Sequence, residues 1–167
     1  MNLRLRRFED SDFTQLNNWV QAVSADNYMQ KVTPLNVESI EDLDNWGINY
    51  VWFAIVVDEI AIGGVWIDKR RPNDTLGILG ILIGCPEKLG KGIGRRAISL
   101  AIAEAQKILG ITQVRLTVRK TNERAIRAYR SVGFEVSGKG STTLDTGLIV
   151  PFYRMETEPL GRGTSLN

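Results

Sequence analysis

The chain has 167 residues, 43% of them hydrophobic, which suits one compact domain with a sizeable core. Its single cysteine, Cys85, excludes an internal disulfide and a cysteine-based structural zinc site; the absence of histidine removes the commonest metal ligand and every Ser-His-Asp, Cys-His or imidazole-base mechanism. The net charge of +2 hides an asymmetry: residues 1 to 79 carry 7 basic and 12 acidic side chains (net −5), and residues 80 to 167 carry 14 and 7 (net +7), so the C-terminal half suits an anion.

Leu3 and Leu5 alternate with Arg4 and Arg6 as in a strand, and Ser11-Asp12 supplies the start of a helix running to about Val23. The opening residues have neither the apolar stretch nor the cleavage site of a signal peptide, and no apolar run nears the roughly 20 residues of a membrane span. A cytoplasmic protein with no metal and no membrane contact is therefore expected. Residues 25 to 34 read as irregular, and residues 37 to 46 as a second short helix, because Val37, Ile40 and Leu43 recur at helical spacing before Gly47. Residues 51 to 57 and 60 to 67 are β-rich runs around Asp58-Glu59, which predicts a hairpin.

Beyond a polar turn at residues 69 to 75, residues 76 to 83 are almost wholly apolar and are expected to form a central strand covered on both faces. Gly77 and Gly80 within it mark a bulge or a close approach to the backbone. Residues 92 to 109 read as a helix with Ile93, Ala97, Leu100, Ala101 and Ile108 as its apolar stripe and Gly110 as its stop. A strand at 114 to 118, a helix at 122 to 132, a strand from Gly133-Phe134 and a last strand at about 148 to 156 complete an α/β or α+β sheet. One domain over residues 1 to 158 and a disordered tail over 159 to 167 are expected.

The segment Pro86-Glu-Lys-Leu-Gly-Lys-Gly-Ile-Gly-Arg-Arg96 places glycines at alternate positions between the apolar strand and the helix. Backbone N–H groups there can converge on one anion at the positive end of a helix, and Lys88, Lys91, Arg95 and Arg96 add charge, so phosphate is the natural guest. A P-loop is disfavoured because Gly94 is followed by Arg95-Arg96 and not by Lys and a hydroxyl residue. The dinucleotide fingerprint fails on glycine spacing and on its mid-chain position.

At Leu89-Gly90-Lys91-Gly92-Ile93-Gly94 the sequence resembles the cofactor motif R/Q-x-x-G-x-G/A of the GNAT superfamily, matching at the glycines and departing at Leu89. Residues 122 to 134, Asn-Glu-Arg-Ala-Ile-Arg-Ala-Tyr-Arg-Ser-Val-Gly-Phe, look like the family's N-x-R-A-x-x-x-Y-x-x-x-G-F segment at every specified position. The resemblance implies a mixed, largely antiparallel α/β sheet flanked by helices, with a bulged strand before the glycine loop. It also implies direct transfer of an acetyl group from acetyl-CoA to a primary amine.

By that resemblance the cofactor contacts would be Ile81 and Ile83 on the strand, Leu89, Gly90, Lys91, Gly92, Ile93, Gly94 and Arg95 in the loop and helix start, and Asn122. Tyr129 would be the general acid: it lies seven residues after Asn122, close to two helical turns, and a phenol with a pKa of about 10 can protonate a thiolate. Core packing of Tyr129 and simple N-capping by Asn122 are the competing readings. The family's strand glutamate is replaced by Leu79, which leaves Asp26, Asp44 and Asp68 as candidate bases, or an amine that arrives already neutral. Cys85 is weighed as a covalent acetyl carrier against an unactivated thiol, with only Lys88 nearby in its favour.

Trp46, Trp52, Trp66 and Tyr28 are candidates for an acceptor cleft, with core packing as the alternative. The acidic N-terminal half predicts a cationic acceptor. A non-catalytic acyl-CoA-binding module of the same fold is the alternative function. Nucleic-acid binding is disfavoured because the basic residues are not interleaved with stacking aromatics, and oligomeric state is open, with a homodimer among the options.

Overall fold

A computed structural model of the chain describes residues 1 to 23 and 32 to 161. Seven strands form one sheet in the order β1-β2-β3-β4-β5-β7-β6. β1 (Leu3–Arg7), β2 (Tyr50–Val57), β3 (Ile60–Asp68) and β4 (Leu76–Ile83) pair antiparallel in sequence. β4 then pairs in parallel with β5 (Gln113–Arg119), and β7 (Ile149–Thr157) lies antiparallel between β5 and β6 (Phe134–Thr143). The sheet is thus mixed and largely antiparallel, as the resemblance implies.

Alternation along the strands divides two cores. On β2, Val51, Phe53, Ile55 and Val57 face one core, whereas Tyr50, Trp52 and Ala54 face the other. The first is closed by α2 (Ile93–Leu109), which buries Ile93, Ala97, Ile98, Ala101, Ile102, Ala105 and Leu109, and by α3 (Glu123–Ser131). Leu100 and Ile108, expected in the apolar stripe, are 43% and 40% exposed, and Ile98, Ile102 and Leu109 take their place. The second core lies under α1 (Phe13–Ala22), where the Phe8 ring stacks on Trp52 at 3.6 Å. Gly80 is the close approach foreseen in β4: the Trp66 indole lies where a Cβ would be.

The hairpin turn of Asp58 and Glu59 is left-handed at both residues, with φ of 49° and 70°, which fits the twist of the strands it joins. The helix expected at residues 37 to 46 is instead a 3-10 turn, Ile40–Asn45. A three-residue spacing satisfies either helix, and here the Asp42 carboxylate accepts the amides of Glu38 at 2.7 Å and Ser39 at 3.0 Å, so the segment starts late. β4 keeps an unbroken register with β3 from Gly63↔Ile83 to Asp68↔Ile78, so the bulge expected in it is absent from that ladder; the distortion is a parting from β5. Pro159 and the residues after it were expected to be loose, yet Leu160 donates its amide to Thr112 at 2.7 Å and packs on the core. Residues 162 to 167 of that tail lie outside the described residues. No helix among the described residues is long and apolar enough to cross a membrane.

The first turn is anchored by an ion pair between half-buried Arg6 and buried Asp12. Both Asp12 carboxylate oxygens accept from the Arg6 guanidinium, at 2.7 and 2.8 Å, and one also accepts the Glu9 amide at 2.9 Å. Burial alone would raise the Asp12 carboxyl, but these hydrogen bonds outweigh it and hold the group below its ordinary value of 3.8. A depressed carboxylate stabilises the fold above its unfolded pKa, and that stabilisation is lost as pH falls through the lower folded value. Asp12→Asn should therefore destabilise the protein by about 2 kcal/mol at neutral pH, with the gap from wild type closing below about pH 4, as read by denaturant unfolding at several pH values.

Candidate cofactor site

The site begins where two strands part. β4 and β5 share only Leu76↔Gln113, Gly77↔Val114 and Ile78↔Arg115, and beyond these each keeps only its outer neighbour. The inner edges that diverge carry backbone N–H and C=O groups with no ladder partner across the gap. Chain direction then delivers both helix starts to this opening: β4 leads through the glycine loop into α2, and β5 leads through Asn122 into α3. A cavity of about 610 Å³ lies there.

Ile81 and Ile83 of β4 supply the apolar floor, and Leu89, Gly90, Lys91, Gly92, Gly94 and Arg95 form one wall. Asn122 and Tyr129 stand on the opposite wall. Ile93 is the exception among the predicted contacts. It is 1% exposed, its side chain packs in the α2 core, and it is not among the residues that line the cavity.

Gly90 and Gly92 adopt φ of +76° and +78°, and a Cβ on either would meet nothing within 4 Å. The glycines are therefore required by backbone conformation and leave the approach open. Leu89 donates its amide to Pro86 and Arg96 donates to Gly92, while the amides from Gly90 to Arg95 have no partner among the described residues. α2 has no capping side chain at Gly92, so its positive end and first-turn donors are left for an anion. Leu89 brings no charge; Lys91 and Arg95 line the cavity, whereas Lys88 and Arg96 do not.

On α3, the Asn122 side chain accepts the Ala125 amide at 3.4 Å, so it caps the helix and lines the cavity together. Tyr129 is half-buried, with its ring 5.9 Å from Phe134 at 62°. Arg124, Arg127, Ala128 and Ser131 also line the cavity, and sequence reasoning missed them. Their spacing from Arg124, three, four and seven residues on, is that of one helical face and was the signal that marks them.

The candidate bases do not assemble here. Among the described residues no carboxylate lines the cavity, and Leu79 is buried. Asp68 is 1% exposed and accepts the Leu35 amide at 2.9 Å and the Asn36 side chain at 3.1 Å, so it holds a loop. Asp44 is exposed, and Asp26 lies outside the described residues. The Cys85 thiol is pushed up by its hydrogen bond with Glu87, by burial and by that carboxylate's charge, against the pull of Lys88, so it is not activated as an acetyl carrier.

Trp52 and Trp66 are buried in the α1-side core and do not line this cavity. Trp46 is half-buried and donates its indole N–H to the Trp52 carbonyl at 2.7 Å; Tyr28 lies outside the described residues. Tyr50 is likewise structural: its hydroxyl donates to the Asp42 carbonyl at 2.8 Å, and burial pushes it up to about 12. No cluster of metal-ligating side chains occurs among the described residues.

A parted parallel strand pair, an uncapped helix start and cationic walls form a cavity suited to a phosphate-bearing ligand. Residues 2–135 match the acetyltransferase (GNAT) domain family, and the chain belongs to that family. Over 58 residues it is 41% identical to the spermidine N(1)-acetyltransferase of Escherichia coli, a match that covers 35% of this chain and only 31% of that enzyme. A GNAT-family acetyltransferase from Streptococcus pneumoniae shares the fold, with a TM-score of 0.74 at 22% identity over 93% of this chain and 99% of that one. The spermidine N-acetyltransferase of Vibrio cholerae, solved with CoA and spermine, does so with a TM-score of 0.72 at 22% identity, over 92% and 94%.

Gly94 offers a clean test of the anion cradle. It lies in the first turn of α2, and a Cβ there would meet Ile83 at 3.6 Å and Ile81 at 3.9 Å, ordinary contacts on the cavity floor. Gly94→Glu places a carboxylate where the helix dipole favours it and where a bound phosphate is expected. The melting temperature should be unchanged or higher, while calorimetric affinity for CoA falls at least tenfold, about 1.4 kcal/mol or more.

Proposed function

We propose that this single domain transfers an acetyl group from acetyl-CoA directly to a primary amine, with no metal. The observation that carries this is the convergence on one cavity of the open α2 start, the unpaired inner edge of β4 and the Tyr129 ring. Acetyl-CoA supplies the acetyl group as an activated thioester. The residues present fit it: the amides from Gly90 to Arg95, including that of Ile93, receive the pyrophosphate, with Lys91 and Arg95 beside it and Leu89 and Asn122 on the walls. Backbone groups at Ile81 and Ile83 hold the amide-bearing arm as an added strand would be held, and an N–H there also donates to the thioester oxygen.

Tyr129 Oη donates a proton to the departing thiolate, and the proton that the attacking nitrogen gives up as the amide forms restores the phenol. With no carboxylate lining the cavity, the reacting nitrogen loses its proton in solution and binds neutral, while the acceptor's other nitrogens stay charged. The acceptor is a cationic amine of the polyamine kind. The net charge of −5 over residues 1 to 79 supports this, as do relatives that act on spermidine. The missing carboxylate also favours a second reading, a non-catalytic acyl-CoA-binding module.

Release of CoA decides between them. Incubation with acetyl-CoA and a panel of polyamines, aminoglycosides, peptide N-termini and neutral or anionic amines should free CoA with spermidine or spermine among the best acceptors. Turnover confined to anionic or neutral amines rejects the cationic acceptor, and no turnover with any amine leaves the binding module.

Tyr129→Phe removes one oxygen and keeps the ring against Phe134. The turnover rate should fall by about 10²-fold with fold and CoA affinity retained, since general acid catalysis contributes about 10²–10⁴-fold. A rate equal to wild type across pH would reduce the tyrosine to packing.

A further inference from the structure

The cavity holds more positive charge than a pyrophosphate requires. Lys91 and Arg95 stand at the glycine loop, and Arg124 and Arg127 project from α3 on the opposite wall. None of these four makes an ion pair or a side-chain hydrogen bond among the described residues, and no carboxylate lines the cavity with them. Arg124 and Arg127 are three residues apart on one helical face, a like-charge spacing that disfavours the helix unless an anion lies between them and the solvent. A pyrophosphate diester at the loop carries a charge of about −2, which Lys91, Arg95 and the α2 amides already meet. Two guanidinium groups remain, matched to a further charge of about −2, that of a phosphate monoester at neutral pH.

Resting on the acetyl-CoA reading, we infer that Arg124 and Arg127 form a separate subsite for the 3′-phosphate of the CoA ribose and make the protein select CoA over 3′-dephospho-CoA. Guanidinium forks suit this target because a terminal phosphate offers several oxygens to paired N–H donors. The subsite lies across the cavity from the glycine loop, so adenosine sits between the two walls while the pyrophosphate stays on α2. Both arginines are exposed and lie outside the core, so replacing them leaves the packing of α3 through Ile126 intact. Ser131, one turn beyond Arg127 on the same face, donates its hydroxyl to the Ala128 carbonyl at 2.6 Å and is not part of the subsite.

Calorimetry with CoA and with 3′-dephospho-CoA tests this on wild type, Arg124→Gln, Arg127→Gln and the double variant, with circular dichroism to confirm the fold. Wild type should bind CoA at least tenfold more tightly, as expected of two charge-assisted hydrogen-bonded guanidinium groups on one phosphate. The double variant should bring the ratio close to one by weakening CoA alone, leaving 3′-dephospho-CoA unchanged, and each single variant should lie between. The salt dependence of CoA binding should become shallower in the same order, since fewer charges are then paired.

Wild type that binds both nucleotides equally overturns the subsite while leaving the acetyl-CoA reading standing. Variants that weaken both nucleotides by the same factor also overturn it, by assigning the arginines to the pyrophosphate. Failure of wild type to bind either nucleotide removes the acetyl-CoA reading and the subsite with it.

Discussion

The early end of the β4–β5 ladder is the constraint on which the rest of the molecule depends. A parallel pair needs a crossover, here the glycine loop and α2, and the crossover places a helix start next to the carboxyl end of the strand it leaves. Because the two strands separate after three paired residues, that end is a gap and not a closed sheet. The sheet survives because β4 stays bonded to β3 through Ile83 and β5 stays bonded to β7 through Arg119. Stability is thus supplied by the outer neighbours, and the inner edges keep backbone groups for a ligand.

The electrostatics of the gap follow from the same topology. α2 and α3 both begin there, so their positive ends lie around one volume; α2 leaves its first-turn amides open, whereas Asn122 caps α3. Side chains reinforce this: the lining holds lysine and arginine and no carboxylate among the described residues. The acidic residues of the N-terminal half that the fold buries serve it structurally, Asp12 under Arg6 and Asp68 under the amides of Leu35 and Asn36. Cys85 is unactivated and does not line the cavity, whereas the Tyr129 phenol on α3 does.

Much of this was legible in the sequence because it depends on local backbone needs. Alternate glycines after an apolar strand announce left-handed turns and open amides, and Gly90 and Gly92 have both. Asn122 and Tyr129, two helical turns apart, had to share a helix face, and they share the cavity. Strand alternation around Asp58-Glu59 determined the hairpin. Where period alone was used the reading slipped: residues 37 to 46 gave a 3-10 turn, and the stripe of α2 rotated from Leu100 and Ile108 to Ile98 and Ile102. Spacings of three and four residues fit several neighbouring phases, and only packing against the sheet selects one.

What tertiary structure alone decided is everything that depends on residues far apart in the chain. The sequence could not show that β4 leaves β5 after Ile78, because register is a property of two strands and not of either. Nor could it show that Arg124 and Arg127 line one cavity with Lys91 and Arg95, or that Ile93, within the glycine loop's run, packs in the core and does not line that cavity. The indoles of Trp52 and Trp66, offered by the sequence as cleft or core, became core once α1 covered their face of the sheet. By itself the sequence determined the local chemistry, an anion-ready loop and a phenol on a helix; the meeting of strands and helices determined that these face one cavity.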